Sequence, residues 1–266
     1  MNSINVACRV CGGVTEEVFK SKVLNKYDAS YSRCNNCAFL QVEDPFWLDE
    51  AYSNSINKED TGYVSRNIRL ARKTFLLLIN YFKKGDSFLD YAGGYGMFVR
   101  LMRDAGLDFY WDDKYTKNIF AQGFEYNKQN ISVVTCFECF EHFSHPGEDI
   151  EKILAISRNV FFSTSLYDIN GSKKAPDLPW PYYGFNHGQH ISFYSLHTLQ
   201  YIAEKHKLKF YSNGRDLHFF SDRKFNKRIF GMILILGILP WDIMSRFIRE
   251  SKTSEDSLRI SKKEDN

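Results

Sequence analysis

Residues 88–96 read Phe-Leu-Asp-Tyr-Ala-Gly-Gly-Tyr-Gly, and no other stretch restricts the fold as much. A short apolar run ends on an acid, glycines follow, and apolar residues then recur at helical spacing from Met97 onward. This order predicts a strand over 87–91, a tight turn, and a helix over 97–105. Glycines in such a turn let the backbone pass close to a ligand, and the first helical turn leaves N–H groups without internal partners. A second apolar run, Phe109-Tyr110-Trp111, leads to Asp113. A carboxylate at that distance along the chain can accept both hydroxyls of a ribose. The pattern points to a nucleoside-type cofactor.

Strand and helix signals alternate beyond this unit. Strands are expected over 109–112, 131–137 and 159–163, and helices over 148–157 and 196–206. Apolar residues at helical spacing predict an amphipathic helix over 63–83 leading into the glycine unit. A late strand pair, 209–212 and 218–221, is joined through Asn213-Gly214. Alternation of this kind implies an α/β fold with a parallel, doubly wound sheet covered on both faces.

Ahead of this unit lie two Cys-x-x-Cys pairs, Cys8/Cys11 and Cys34/Cys37, with Gly12 permitting the turn after the first. Two intervening residues let both sulfurs of a pair face one point. Four thiolates fit a closed tetrahedral zinc site that stabilises rather than catalyses. Cys136 and Cys139 share the spacing but sit at the end of an expected buried strand, and read as small core residues. The 266 residues accommodate one large domain and a small appendage. The expected organisation is a zinc module over 1–50, a cofactor domain over 51–222, an amphipathic helical segment over 223–250 and a disordered polar tail over 251–266.

The N-terminus lacks an apolar signal core, and the apolar run 229–239 is shorter than the roughly 20 residues a bilayer span needs. Cytoplasmic residence with reduced thiols is expected. The net charge of +3 gives no support to a nucleic-acid partner.

The residues of the glycine unit resemble the first motif of class I S-adenosylmethionine-dependent methyltransferases. Asp113 falls where that family has its ribose-binding acid. Residues 133–142, Val-Val-Thr-Cys-Phe-Glu-Cys-Phe-Glu-His, resemble its fourth strand and the Glu-His ending. His190-Ile-Ser-Phe-Tyr-Ser195 resembles the segment before its late helix. The four-cysteine head is similar to that of zinc-containing sugar methyltransferases of polysaccharide and antibiotic-sugar pathways. The resemblance implies a Rossmann-like seven-stranded methyltransferase sheet behind a small zinc knuckle. It implies S-adenosylmethionine as cofactor, held by Asp90, Gly93, Gly94, Gly96, Asp113 and Phe137, with structural Zn2+ on the four cysteines and a sugar derivative as acceptor. One residue departs from the pattern: Ala92 stands where the family usually has its first glycine. At positive φ an alanine there costs about 1 kcal/mol.

A local charge argument also separates this cofactor from a nicotinamide dinucleotide. Asp90 precedes the glycines, where a carboxylate repels a pyrophosphate and suits the cationic amino end of methionine. Methyl transfer to a hydroxyl further needs a proton acceptor. His142, just past a strand end, and His187 and His190, behind the aromatic run Pro179–Gly184, are the candidates, and the last two could instead bind a metal. Trp180, Tyr182 and Tyr183 either stack on a sugar or fill a core. A non-catalytic scaffold that keeps the fold is the second functional reading. Residues 225–250 carry basic flanks around an apolar middle. They read as an interfacial helix on the inner face of a membrane, a homodimer contact, or a helix packed on its own domain.

Overall fold

A computed structural model describes residues 6–53, 60–167, 174–236 and 250–264. In chain order the first elements are β1 (Thr15–Val23), β2 (Tyr27–Cys34), β3 (Leu40–Val42), α1 (Leu48–Ala51), α2 (Tyr63–Tyr81), β4 (Ser87–Tyr91), α3 (Met97–Asp104) and β5 (Asp108–Asp112). They are followed by β6 (Val133–Cys136), α4 (Pro146–Ile156), β7 (Val160–Ser163), β8 (Ser192–Phe193) and α5 (Leu196–Lys205). The last are β9 (Lys209–Ser212), β10 (Leu217–Ser221), α6 (Lys227–Leu236) and α7 (Thr253–Glu264). Two compact units form, 1–57 with 137–223 and 58–136 with 224–266. Each unit is built from two separate segments of the chain, where the expected organisation ran linearly along it.

In the first unit an antiparallel sheet runs in the order β1-β2-β3-β8. β8 comes from far downstream, and its Phe193 pairs with Leu40 of β3. The cysteine head is therefore not a separate knuckle: it shares a sheet with the segment that follows His190. Tyr31, Leu40, Trp47, Tyr183, Ile191 and Phe193 form the core beneath that sheet. Tyr183 is 1% exposed and stacks on Phe185 at 5.0 Å. Trp180 and Tyr182 pack, partly buried, against the same core. β10 pairs antiparallel with both β7 and β9. The Asn213-Gly214 turn closes this hairpin, with Asn213 Oδ1 accepting the N–H groups of Arg215, Asp216 and Leu217.

In the second unit β4 lies between β5 and β6, parallel to both, with Phe88 opposite Phe109 and Val133. Phe88 and Leu89 are buried, as an apolar run covered on both sides requires. α3 packs on β5, and α2 on α3 and α6. Among the described residues this unit thus holds three parallel strands, and the first unit holds the antiparallel set β7, β10 and β9, where one seven-stranded sheet was expected. Residues 113–132 fold as turns, and a single parallel bridge between Trp111 and Glu125 is all the pairing they add.

The tail expected to be disordered forms α7 over Thr253–Glu264. Its Asp256 accepts a bidentate pair from Arg103, Nε to Oδ2 and Nη2 to Oδ1, both at 2.7 Å. Both side chains are buried, and the guanidinium lies 3.7 Å from the Phe124 ring centre. Polar composition suggested a tail with nothing to bury; one fully desolvated ion pair overrides it. Of the segment 225–250, residues 237–249 lie outside the described residues. α6 buries Phe230, Ile233 and Leu234 and exposes Ile229, Met232 and Ile235. Among the described residues no helix is long and apolar enough to cross a membrane.

Candidate cofactor, metal and acid–base sites

The loop between β4 and α3 is folded by backbone demands that single residues meet. Gly96 caps α3 at φ +84°, and a Cβ there would lie 2.7 Å from Asn118 Oδ1. At Gly93 a Cβ would meet Asp90 Oδ2 and Trp111 Cδ1, both at 2.9 Å. The glycines thus bring the backbone against the Asp90 carboxylate. Ala92 takes φ +57°, the left-handed conformation in which an alanine is strained. Trp111 braces the loop by donating Nε1–H to the Gly94 carbonyl at 2.8 Å.

Asp90 is 3% exposed and accepts from the Thr135 hydroxyl at 2.7 Å. Burial pushes its carboxyl up to about 7, against the Thr135 bond and with a small push from Asp113. A cation beside it would restore the carboxylate. Asp113 accepts three backbone N–H groups: Gly94 at 2.9 Å on Oδ2, Tyr115 at 2.7 Å and Thr116 at 2.8 Å on Oδ1. A carboxylate has about four acceptor sites, so little capacity is left for a diol. Its neighbour Asp112 ends β5 with a half-buried carboxyl that has no hydrogen-bond partner among the described residues. Burial, then the Asp113 charge, raises its pKa. Tyr63, absent from the sequence expectations, also reaches this loop: a Cβ on Gly94 would lie 3.4 Å from its hydroxyl, and burial raises its pKa. Only its place at the start of an amphipathic helix could have signalled it. Phe137 belongs to the first unit, where its ring meets Phe161 edge-on at 5.4 Å.

In the first unit the sulfurs of Cys8, Cys11, Cys34 and Cys37 all lie within 4.8 Å of one another. The shortest separations are 3.4 Å for Cys11–Cys34 and 3.6 Å for Cys8–Cys37. Zinc at about 2.3 Å from each sulfur gives a tetrahedron with edges of about 3.8 Å. Backbone N–H groups of Val10, Gly13 and Asn36 point at these sulfurs at 3.4 Å, as negative thiolates favour. The set fits a four-thiolate metal.

The three candidate histidines also belong to this unit, and hydrogen bonds fix their tautomers. His142 Nδ1 lies 3.1 Å from the Gln189 carbonyl, and His190 Nδ1 lies 2.6 Å from the Tyr182 carbonyl. A carbonyl only accepts, so Nδ1 carries the proton in both rings and Nε2 keeps a bare lone pair. Tyr52 adds a contact to His142 Nδ1 at 3.0 Å. His187 is the opposite: its Nδ1 accepts the Gln189 N–H, which puts the proton on Nε2. That Nε2 is packed on Gly184, where an added Cβ would lie 2.2 Å away. His187 is therefore built as a turn residue, and proton acceptance by Nε2 falls to His142 and His190. Burial lowers His142 to about 4 and His190 well below its ordinary value, so both are neutral near pH 7. Glu141 joins them: its carboxylate and the two imidazoles lie within 4.8 Å of one another.

No curated protein sequence matches the chain. Among solved structures it is similar to CalO1, a methyltransferase of calicheamicin biosynthesis in SAH-bound form, at 14% identity over 68% of this chain and 60% of that one, TM-score 0.44. The chain thus spans three fifths of that protein's length. It is similar to the plantazolicin methyltransferase BpumL, in complex with a desmethylPZN analogue and SAH, at 14% identity over 68% and 92% of the two chains, TM-score 0.41. An O-methyltransferase family protein from Burkholderia thailandensis matches at 13% identity over 68% of both chains, TM-score 0.42. The profile of the family described as "Methyltransferase domain" matches residues 63–212, from the start of α2 to the end of β9. A match over more than half of the sequence, taking in the glycine loop and the strands that carry it, makes this chain a member of the methyltransferase-domain family.

Proposed function

We propose that the chain is an S-adenosylmethionine-dependent methyltransferase acting on a small polar acceptor of the sugar or nucleotide-sugar class. The observation that carries the reading is Asp90: a buried carboxyl, raised to about 7, directly behind a glycine loop that a single Cβ would obstruct. Such a group binds an ammonium, which the methionine end of the cofactor supplies, and repels a phosphate. When bound, the cofactor supplies an electrophilic methyl on a sulfonium. Asp90 holds the amino end. Asp112, with Asp113 bracing the loop through Gly94, takes the ribose hydroxyls. His142 or His190 takes the acceptor proton at Nε2, and the acceptor oxygen then carries the lone pair that displaces the sulfur. The sugar class rests on the four-thiolate head, whose likeness is to sugar methyltransferases, and Zn2+ there is structural. Exposed Ile229, Met232 and Ile235 keep a membrane or dimer contact through α6 in play.

Calorimetric titration with S-adenosylhomocysteine tests the cofactor site. Asp112→Ala and Asp90→Asn should each weaken binding at least tenfold. Unchanged affinity in both variants refutes the assignment. A second reading, a scaffold that keeps the fold without turnover, draws on the strained Ala92; it is favoured if neither donor nor product binds the wild-type chain.

A further inference from the structure

We propose that Glu141, His142 and His190 form a second metal site, for a divalent first-row transition ion of the zinc type, in addition to the four thiolates. One ligand atom from each residue lies within 4.8 Å of the others. Metal–nitrogen and metal–oxygen bonds of about 2.1 Å place neighbouring ligand atoms roughly 3.0–3.4 Å apart, or about 4.2 Å when opposed. Small side-chain rotations close the remaining gap.

Three features prepare these residues for a cation. Both histidines donate Nδ1–H to a main-chain carbonyl, which fixes the ring and turns a bare Nε2 outward. Metal-bound imidazoles are held in this way. The segment that carries the accepting Gln189 carbonyl is itself anchored: the Gln189 side chain donates to the Ala51 carbonyl at 2.8 Å, and Trp47 Nε1 donates to the Gly188 carbonyl at 2.9 Å. The third ligand is a carboxylate 1% exposed, so a dication would offset charge where water cannot. Two imidazoles and one carboxylate favour zinc-like ions over magnesium or calcium, which prefer all-oxygen sets. Unlike the thiolate site, three protein ligands leave coordination positions open.

Sequence spacing alone suggested His187 with His190 as a metal pair. The tautomer of His187 removes it, because its Nδ1 is used by the Gln189 N–H and its Nε2 lies on Gly184. Metal binding does not depend on methyl transfer. Its bearing on catalysis does rest on that reading: an ion with open positions ionises an acceptor hydroxyl, the task the bare Nε2 atoms otherwise perform.

The test is metal content of the full chain after loading with Zn2+ and desalting, compared across variants. Glu141→Gln and His190→Gln should each lose one equivalent per chain relative to wild type, whatever the thiolates hold. Cys34→Ser should leave that equivalent in place. Zn2+ affinity at this site should fall at least tenfold in the first two variants. Circular dichroism confirms that they fold, and His142→Gln serves as a third variant should either fail to. Metal content equal to wild type in the folded variants overturns the site. Loss of the equivalent with no binding of S-adenosylhomocysteine to wild type would uphold the site and reject the methyltransferase reading alone.

Discussion

Ala92 carries a Cβ into the left-handed region at φ +57°, at the residue where the chain leaves β4 for the glycine loop. The strain is about 1–2 kcal/mol, and the extra unfolded-state freedom of a glycine offsets about half of it. Ala92→Gly should therefore raise stability by roughly 0.5–1 kcal/mol in urea melts without weakening S-adenosylhomocysteine. A loss of stability would mean that the positive φ is not adopted. Single residues also mark what the sequence hides. Asp113 was legible as an acid near the glycines, but not as one whose acceptors are mostly taken by Gly94, Tyr115 and Thr116. The tautomers of His142 and His190 depend on carbonyls that no spacing rule connects to them.

Among the elements, the local ones were legible. β4, α3, β9 and β10 fall within a residue of their expected bounds, because period and turn chemistry act over a few neighbours. The elements that long-range contacts create were not. β8 is two residues long and exists because β3 offers it an edge. α7 exists because Asp256 meets Arg103, 153 residues away in the chain. Burial alone would raise the Asp256 pKa; the bond and charge of Arg103 outweigh it and hold the carboxyl low. Asp256→Ala leaves a guanidinium buried with part of its pairing gone, and should destabilise the protein by about 3–5 kcal/mol. Urea melts read this directly. A loss below 1 kcal/mol would return 251–266 to the dispensable tail its composition suggested.

Over the whole molecule, buried titrating groups set the response to acid. His142 and His218 have pKa values lowered by burial from 6.5 to about 4, and His190 is lowered well below its ordinary value. Between those limits the unfolded chain binds protons that the folded chain refuses. The stability these histidines contribute is present above pH 6.5 and lost as pH falls toward 4. Asp90 acts in the opposite sense: raised from 3.8 to about 7, it binds its proton more readily when folded and favours the native state as pH falls. His206 is lowered as well and Asp112 is raised; four lowered histidines against two raised carboxyls leave the unfolded chain binding more protons, so stability should drop from pH 6.5 to pH 4. His218→Gln, a residue 0% exposed between Ser212 and the Thr164 carbonyl, should flatten that slope. Denaturant melts across this range measure both, and a flat wild-type profile would contradict the burial of these rings.

Arg9 sits inside the first Cys-x-x-Cys turn, yet its guanidinium reaches outward to the carbonyls of Val42, Ser144 and Ile191. Ser144 lies two positions past His142 and Ile191 directly follows His190, so one side chain ties the thiolate turn to both strands of backbone that present the imidazoles. The first cysteine turn is thus moored by one guanidinium to the backbone on which His142 and His190 stand.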